Sequence, residues 1–107
     1  MKKISVLFVC LGNICRSPAA EAIFISLLEK QGLIDNFIVD SAGTGSWHIG
    51  KKADSRMRIS AERRNINILS RARQITSKDF DVFNYILAMD DSNFRNIQDL
   101  KNKKSIQ

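Results

Sequence analysis

A cysteine and an arginine stand at the two ends of a short turn in VLFVCLGNICRSPAAEAIF, residues 6–24. Cys10 closes an apolar run, Gly12 and Asn13 follow, and Arg16 precedes the helix-opening pair Ser17-Pro18. A loop between a strand and a helix gathers backbone N–H groups around an anion, and the helix dipole adds to their pull. Gly12 and Asn13 tolerate the left-handed backbone that such a curl needs. Arg16 can hold two phosphate oxygens with its planar fork. The same positive surroundings favour a thiolate at Cys10. The pair is a nucleophile with a cationic clamp for the group it attacks. Loop N–H groups and Arg16 would stabilise the equatorial oxygens of a phosphoryl group in transit.

The elements that must position this loop are legible on either side. ISVLFV, residues 4–9, is apolar and rich in β-branched residues, as expected of a buried parallel strand. Apolar residues then recur at Ala20, Ile23, Phe24, Leu27 and Leu28, the stripe of an amphipathic helix. Ser17 is expected to cap that helix, Pro18 to open it and Gly32 to end it. FIVDSAG (37–43) and YILAM (85–89) read as two further strands. Between them TGSWHIGKK is a loop, residues 54–65 an amphipathic basic helix, and 76–83 a short helical turn. DDSNFRNIQDLKNKK reads as a last helix fraying into a basic tail. Alternation of strands and helices predicts an α/β class with a parallel sheet, and residues 1–107 read as one domain. Ligands of such sheets bind beyond the carboxyl ends of the strands, where Cys10 falls.

Composition narrows the function classes. The chain is 44% hydrophobic and 26% charged, ordinary for a globular protein. No apolar run approaches the ~20 residues of a membrane span, and the amino terminus lacks the apolar length and cleavage site of a secretory signal. A cytoplasmic protein without membrane partners is expected. The formal charge of +6 is concentrated: residues 51–73 hold eight Lys or Arg against Asp54 and Glu62, and the rest of the chain sums to zero. This segment is either a solvated helix face or a surface that steers a phosphorylated partner. It has no interleaved aromatic residues to stack bases, so nucleic acid is not expected. Cys10 and Cys15 are the only cysteines and do not have zinc spacing, so no metal and no cofactor are expected.

The stretch VLFVCLGNICRSPAAEA closely resembles the signature of the low-molecular-weight protein tyrosine phosphatases. The resemblance continues through VDSAGTGSWHIG, ADSR, RARQIT–DF and YILAMDDSN, from Ile4 to about Asn96. It implies a three-layer α/β sandwich with strand order 2-1-3-4. It implies that Cys10 forms a phosphocysteine intermediate and that Arg16 binds the phosphoryl group. Leu11, Gly12, Asn13, Ile14, Cys15 and Ser17 would line the substrate site, with Asn13 holding the loop's shape and Ser17 donating to the thiolate. Cys15 would close a reversible disulfide with Cys10, guarding it against over-oxidation. Trp47 would wall the pocket, and Asp90 would be a structural carboxylate rather than the proton donor. The residues themselves suggest that His48 is a loop side chain, that Asp54 and Arg56 pair or cap the basic helix, and that Asp91 is a solvated helix-start acid.

The sequence departs from that family in one respect. The family's general acid lies in an Asp-Pro loop near its carboxyl terminus, and the single proline here is Pro18. The fourth strand, the Asp-Pro loop and the closing helix are therefore expected to be absent from these residues. Loss of a general acid typically costs about 10²–10⁴-fold. An uncovered third strand would invite self-association. The leading expectation is a phosphatase acting on a phosphotyrosine protein or a small aryl phosphate, with inorganic phosphate able to occupy the loop. An acid-less phosphotyrosine-binding module is the alternative. Arsenate reduction ranks lower, because residues 80–107 hold no further cysteine.

Overall fold

A computed structural model describes residues 2–106, with side chains as far as Lys103. The elements run β1 (Ile4–Cys10), α1 (Arg16–Lys30), a 3-10 turn (Ile34–Asn36), β2 (Phe37–Gly43), α2 (Ser55–Glu62), α3 (Asp79–Val82), β3 (Tyr85–Ala88) and α4 (Asp91–Ile106). Among the described residues the sheet has three strands in the order β2-β1-β3, and both pairings are parallel. The α/β class and the parallel sheet are as expected. The last helix spans Asp91–Ile106, with Lys101 and Lys103 in its later turns, where positive charge suits the negative end of the helix dipole.

Side-chain parity along β1 decides which residues meet. Leu7 and Val9 point to one face, where they form the core with Ala42, Ile75 and Ile97, and Phe80, Phe83 and Ile86 pack against it. Phe8 points to the other face, towards α1, where its ring meets Phe24 edge-on at 5.8 Å and Phe24 in turn meets Phe37 at 5.7 Å. Cys10 shares the parity of Phe8, so its thiol also faces α1. The register pairs Phe8 with Ser41 and Cys10 with Gly43, which puts Ser41 on that same face.

α1 differs from its expected amphipathic pattern. Ile23 and Leu27 are 46% and 52% exposed, whereas Ser17 and Leu28 are buried. The buried face runs Ser17, Glu21, Phe24, Leu28, a spacing of three to four residues whose first turn is polar because it covers the loop rather than the hydrophobic core. Ser17 is also not the cap: the helix starts one residue earlier, with Cys15 at the N-cap and no side-chain cap bond. Gly32 ends the helix as expected, left-handed at φ 70, with Gly32 and Leu33 N–H donating to Glu29 and Leu28.

Candidate active site

β1 delivers Cys10 to the start of the loop, and α1 receives the chain at Arg16. Asn13 makes the turn with φ 57, a left-handed conformation that asparagine tolerates better than most residues. Gly12 stands out for a different reason from the one expected. It is not left-handed; instead a Cβ there would come to 3.0 Å from His48 Cδ2. His48 is thus a loop side chain packed on Gly12. Gly43 of β2 is tighter still, since a Cβ would stand 2.7 Å from the Leu11 carbonyl. The loop's own carbonyls are turned outward. Cys10 O accepts from Thr44 N at 2.9 Å, Leu11 O from Gly45 N at 2.8 Å and Ile14 O from Asp54 N at 2.6 Å.

The thiol lies at the centre. Cys10 is 3% exposed, and Asn13 N–H donates to its Sγ at 3.2 Å. Ser17 Oγ sits 2.9 Å from the same sulfur. The neighbours limit how that hydroxyl can bond. Asn13 Nδ2 donates to Ser17 Oγ at 2.8 Å, which fills an acceptor position of the hydroxyl. Ser17 has one proton left to give, either to Sγ or to the more distant Ala42 carbonyl at 3.4 Å. Either atom of the Cys10–Ser17 pair can be the donor, and Ser17 can give its proton to the sulfur wherever the sulfur acts as acceptor. The two thiols are both free in this structure, Cys10 buried and Cys15 exposed.

Behind the loop is a network that the sequence did not reveal. Asn13 Nδ2 also donates to Ser41 Oγ at 2.9 Å, and Ser41 donates onward to Glu21 Oε1 at 2.5 Å. Asn13 Oδ1 accepts from Arg73 N–H at 2.9 Å. Arg73 then grips Asp79 through two nitrogens at 3.1 Å each and Asp40 through Nε at 3.1 Å. Burial alone would lower the Arg73 guanidinium, but the bonds and charges of Asp79 and Asp40 outweigh it and hold the group above its ordinary value. Burial pushes the Glu21 carboxyl up, against the hydrogen bond from Ser41 that lowers it, and nearby Asp40 adds to the rise. Two signals in the sequence bear on these residues: Ser41 and Asp40 interrupt an apolar strand, and Glu21 falls on the face of α1 shared with Phe24 and Leu28.

Arg16 stands at the far end of the loop, half-exposed, with Nη1 2.9 Å from Asp90 Oδ2. Asp90 also accepts from Asn93 N at 2.8 Å, at the start of α4. The backbone bond from Asn93 and the Arg16 guanidinium hold this carboxyl below its usual range. Asp91 is an exposed acid in the first turn of α4. Asp54 caps α2, its carboxylate accepting from Arg56 N and Met57 N, and Arg56 Nε lies 3.4 Å from it. Trp47 is 67% exposed, so it does not cover the core. Its indole lies over Gly45 and lines an open groove of about 360 Å³ together with Leu11, Gln74 and Leu100. A larger recess of about 500 Å³ opens between α1 and residues 65–70, with Glu21 on its wall. It lies behind the network rather than at the thiol. Leu11, Gly12, Asn13, Ile14, Cys15 and Ser17 all fall on the loop or the first turn of α1, whereas Trp47 approaches only from the groove beside Leu11.

No helix among the described residues is long and apolar enough to cross a membrane. A family model described as low molecular weight phosphotyrosine protein phosphatase matches residues 5–107. A protein of that name from Schizosaccharomyces pombe is 50% identical over 101 residues, covering 94% of this chain and 65% of its own. The protein of that name from Homo sapiens is 50% identical over 103 residues, covering 96% of this chain and 63% of its own. The chain therefore spans just under two thirds of the length of these relatives. The crystal structure of YfkJ from Bacillus subtilis superposes with a TM-score of 0.93 at 46% identity, over 97% of this chain and 66% of that one. With a matching family model across nearly its whole length, the chain belongs to the low molecular weight phosphotyrosine protein phosphatase family.

Proposed function

We propose that this chain hydrolyses phosphotyrosine and other aryl phosphate monoesters through a phosphocysteine on Cys10, acting as one unit over residues 1–107. The observation that carries the reading is the buried sulfur facing Asn13 N–H and Ser17 Oγ at 3.2 and 2.9 Å, with Arg16 closing the loop. In the first step Cys10 Sγ attacks phosphorus, the P–S bond forms, the P–O bond to the ring breaks, and the phenolate leaves and takes up a proton. In the second a water attacks phosphorus, the P–S bond breaks, and inorganic phosphate and the thiolate return. Arg16 binds the phosphoryl oxygens. An exposed ion pair such as Arg16–Asp90 is weak and screened, so an incoming dianion competes for the guanidinium. Leu11, Gly12, Asn13, Ile14, Cys15 and Ser17 form the phosphate site, and Trp47 borders the aryl ring. First-turn acids would oppose an anion, and α1 has none.

The test compares p-nitrophenyl phosphate, whose leaving group departs unprotonated, with a phosphotyrosine peptide, each with a Cys10→Ser control. Turnover of both, abolished in the variant, is expected of a complete phosphatase. Turnover of the activated ester alone shows a working nucleophile without an effective acid for the peptide. Phosphate binding without any turnover replaces the enzyme with a binding module. We further propose a cytoplasmic setting, in keeping with two free thiols, and self-association through β3. Tyr85 and Leu87 share the parity of Phe8 yet remain largely exposed on the sheet edge, beyond the reach of α1. A single monomeric sedimentation species across a wide concentration range would refute that association.

A further inference from the structure

The basic segment after β2 contains a second constellation. Lys52, Arg58 and Arg71 surround a recess of about 170 Å³, and Glu62 is the one carboxylate on its wall. Among the described residues, no ion pair joins Glu62 to any of the three. Two of the cations are tethered to neutral carbonyls. Arg58 Nε donates to Ala53 O at 3.0 Å and Arg71 Nη1 to Gly50 O at 3.0 Å. Their positions are fixed while their charges stay uncompensated. An antiparallel bridge between Lys52 and Arg71 holds those two side by side. Like charges held this close repel, and an anion placed among them relieves the repulsion.

We propose that this recess is a docking site for an acidic segment of the protein substrate, so that the enzyme favours phosphotyrosines flanked by Asp and Glu. The proposal rests on the phosphatase reading above and names its substrate more closely. Guanidinium forks suit carboxylates. The exposed Lys51, Arg56, Arg63 and Arg64 extend the positive field beyond the recess, which matches carboxylates spread along a peptide rather than one compact anion. The recess is also joined to the phosphate loop. Ala53 holds Arg58, and the next residue, Asp54, donates to Ile14 O at 2.6 Å. Arg58 lies about one helical turn, roughly 6 Å, from Asp54.

The first measurement needs no catalysis. Fluorescence anisotropy compares an unphosphorylated Asp/Glu-rich peptide with its Asn/Gln counterpart on the wild-type chain. The acidic peptide binds roughly tenfold more tightly at low salt, and the preference vanishes near 0.5 M salt, where the Debye length is about 4 Å. The double variant Lys52→Gln, Arg71→Gln loses most of the preference, and Glu62→Gln raises acidic-peptide affinity a few-fold. Equal binding of the two peptides overturns the proposal. So does a preference that survives the double variant, or one that a single-stranded oligonucleotide matches. The second measurement is the ratio of kcat/KM for phosphotyrosine peptides with acidic and neutral flanks, with p-nitrophenyl phosphate as a substrate lacking flanks. Acidic binding without any hydrolysis leaves the recess standing and removes the phosphatase reading. Hydrolysis indifferent to the flanks does the reverse.

Discussion

Asn13 is 2% exposed, left-handed, and bonded through its side chain to three separate parts of the chain. Asn13→Ala would remove all three bonds. Their costs are unequal. Ser17 keeps Cys10 as a partner and Ser41 keeps Glu21, so each loses one net bond, about 0.5–1.5 kcal/mol. Arg73 N–H, by contrast, loses the acceptor shown for it and is left unpaired in a part-buried position, about 1–3 kcal/mol. Alanine at φ 57 adds about 1–2 kcal/mol of backbone strain. The sum is about 3–8 kcal/mol. A chain of 107 residues has a total stability on the order of 5–16 kcal/mol, so the variant approaches unfolding. Asn13→Gly makes the same deletions without the strain and should be the more stable of the two by about 1 kcal/mol.

Urea unfolding of the three proteins measures these differences directly. Turnover of p-nitrophenyl phosphate, normalised to folded protein, reports separately on the loop. A loss below about 1 kcal/mol for Asn13→Ala would show that water or loop rearrangement replaces the network. Equal stability of the alanine and glycine variants would show that the left-handed backbone carries no cost, and the account of the turn would be wrong.

Three further predictions concern other positions. The Glu21 carboxyl is held above its ordinary value by burial, so the folded state binds the proton more readily than the unfolded chain. Its contribution is fully present below the unfolded value of about 4.3 and is lost as pH rises through the folded value. Melting curves should therefore show wild-type stability declining over that window and Glu21→Gln flattening the decline; an unchanged slope would refute the assignment. Gly43→Ala would drive a Cβ to 2.7 Å from Leu11 O and 3.1 Å from Asn13 N. It should lower p-nitrophenyl phosphate turnover by about 10²-fold through loop displacement. Gly32→Ala, which meets nothing within 4 Å, should cost stability through its φ of 70 while leaving turnover intact.

What could be read from the sequence was the part encoded locally. β1 announced itself by an apolar, β-branched run, and Cys10, Arg16 and the turn between them lie within a few residues of one another. Cys10 does fall at the carboxyl end of a parallel strand, where the sequence had placed the candidate loop. The network behind the loop was not local. Ser41 reaches Asn13 only because β2 pairs in a register that sets it beside Phe8, and Arg73 arrives from 60 positions away. Glu21 and Ser17 share a helical face with Phe24 and Leu28, but a search for apolar spacing passes over them in favour of Ile23 and Leu27. From its residue type alone Ser17 read as a helix cap, and its place beside the thiol came only through resemblance. The physical reason is common to these cases. The first turn of α1 packs on a polar loop whose donors must be satisfied, so hydrogen-bonding groups occupy positions that a hydrophobic core would give to leucine. Polar residues on the inward face of α1 and at its partner position on β2 are thus the trace that this loop leaves in sequence: Ser17 and Glu21 on the helix, Ser41 on the strand.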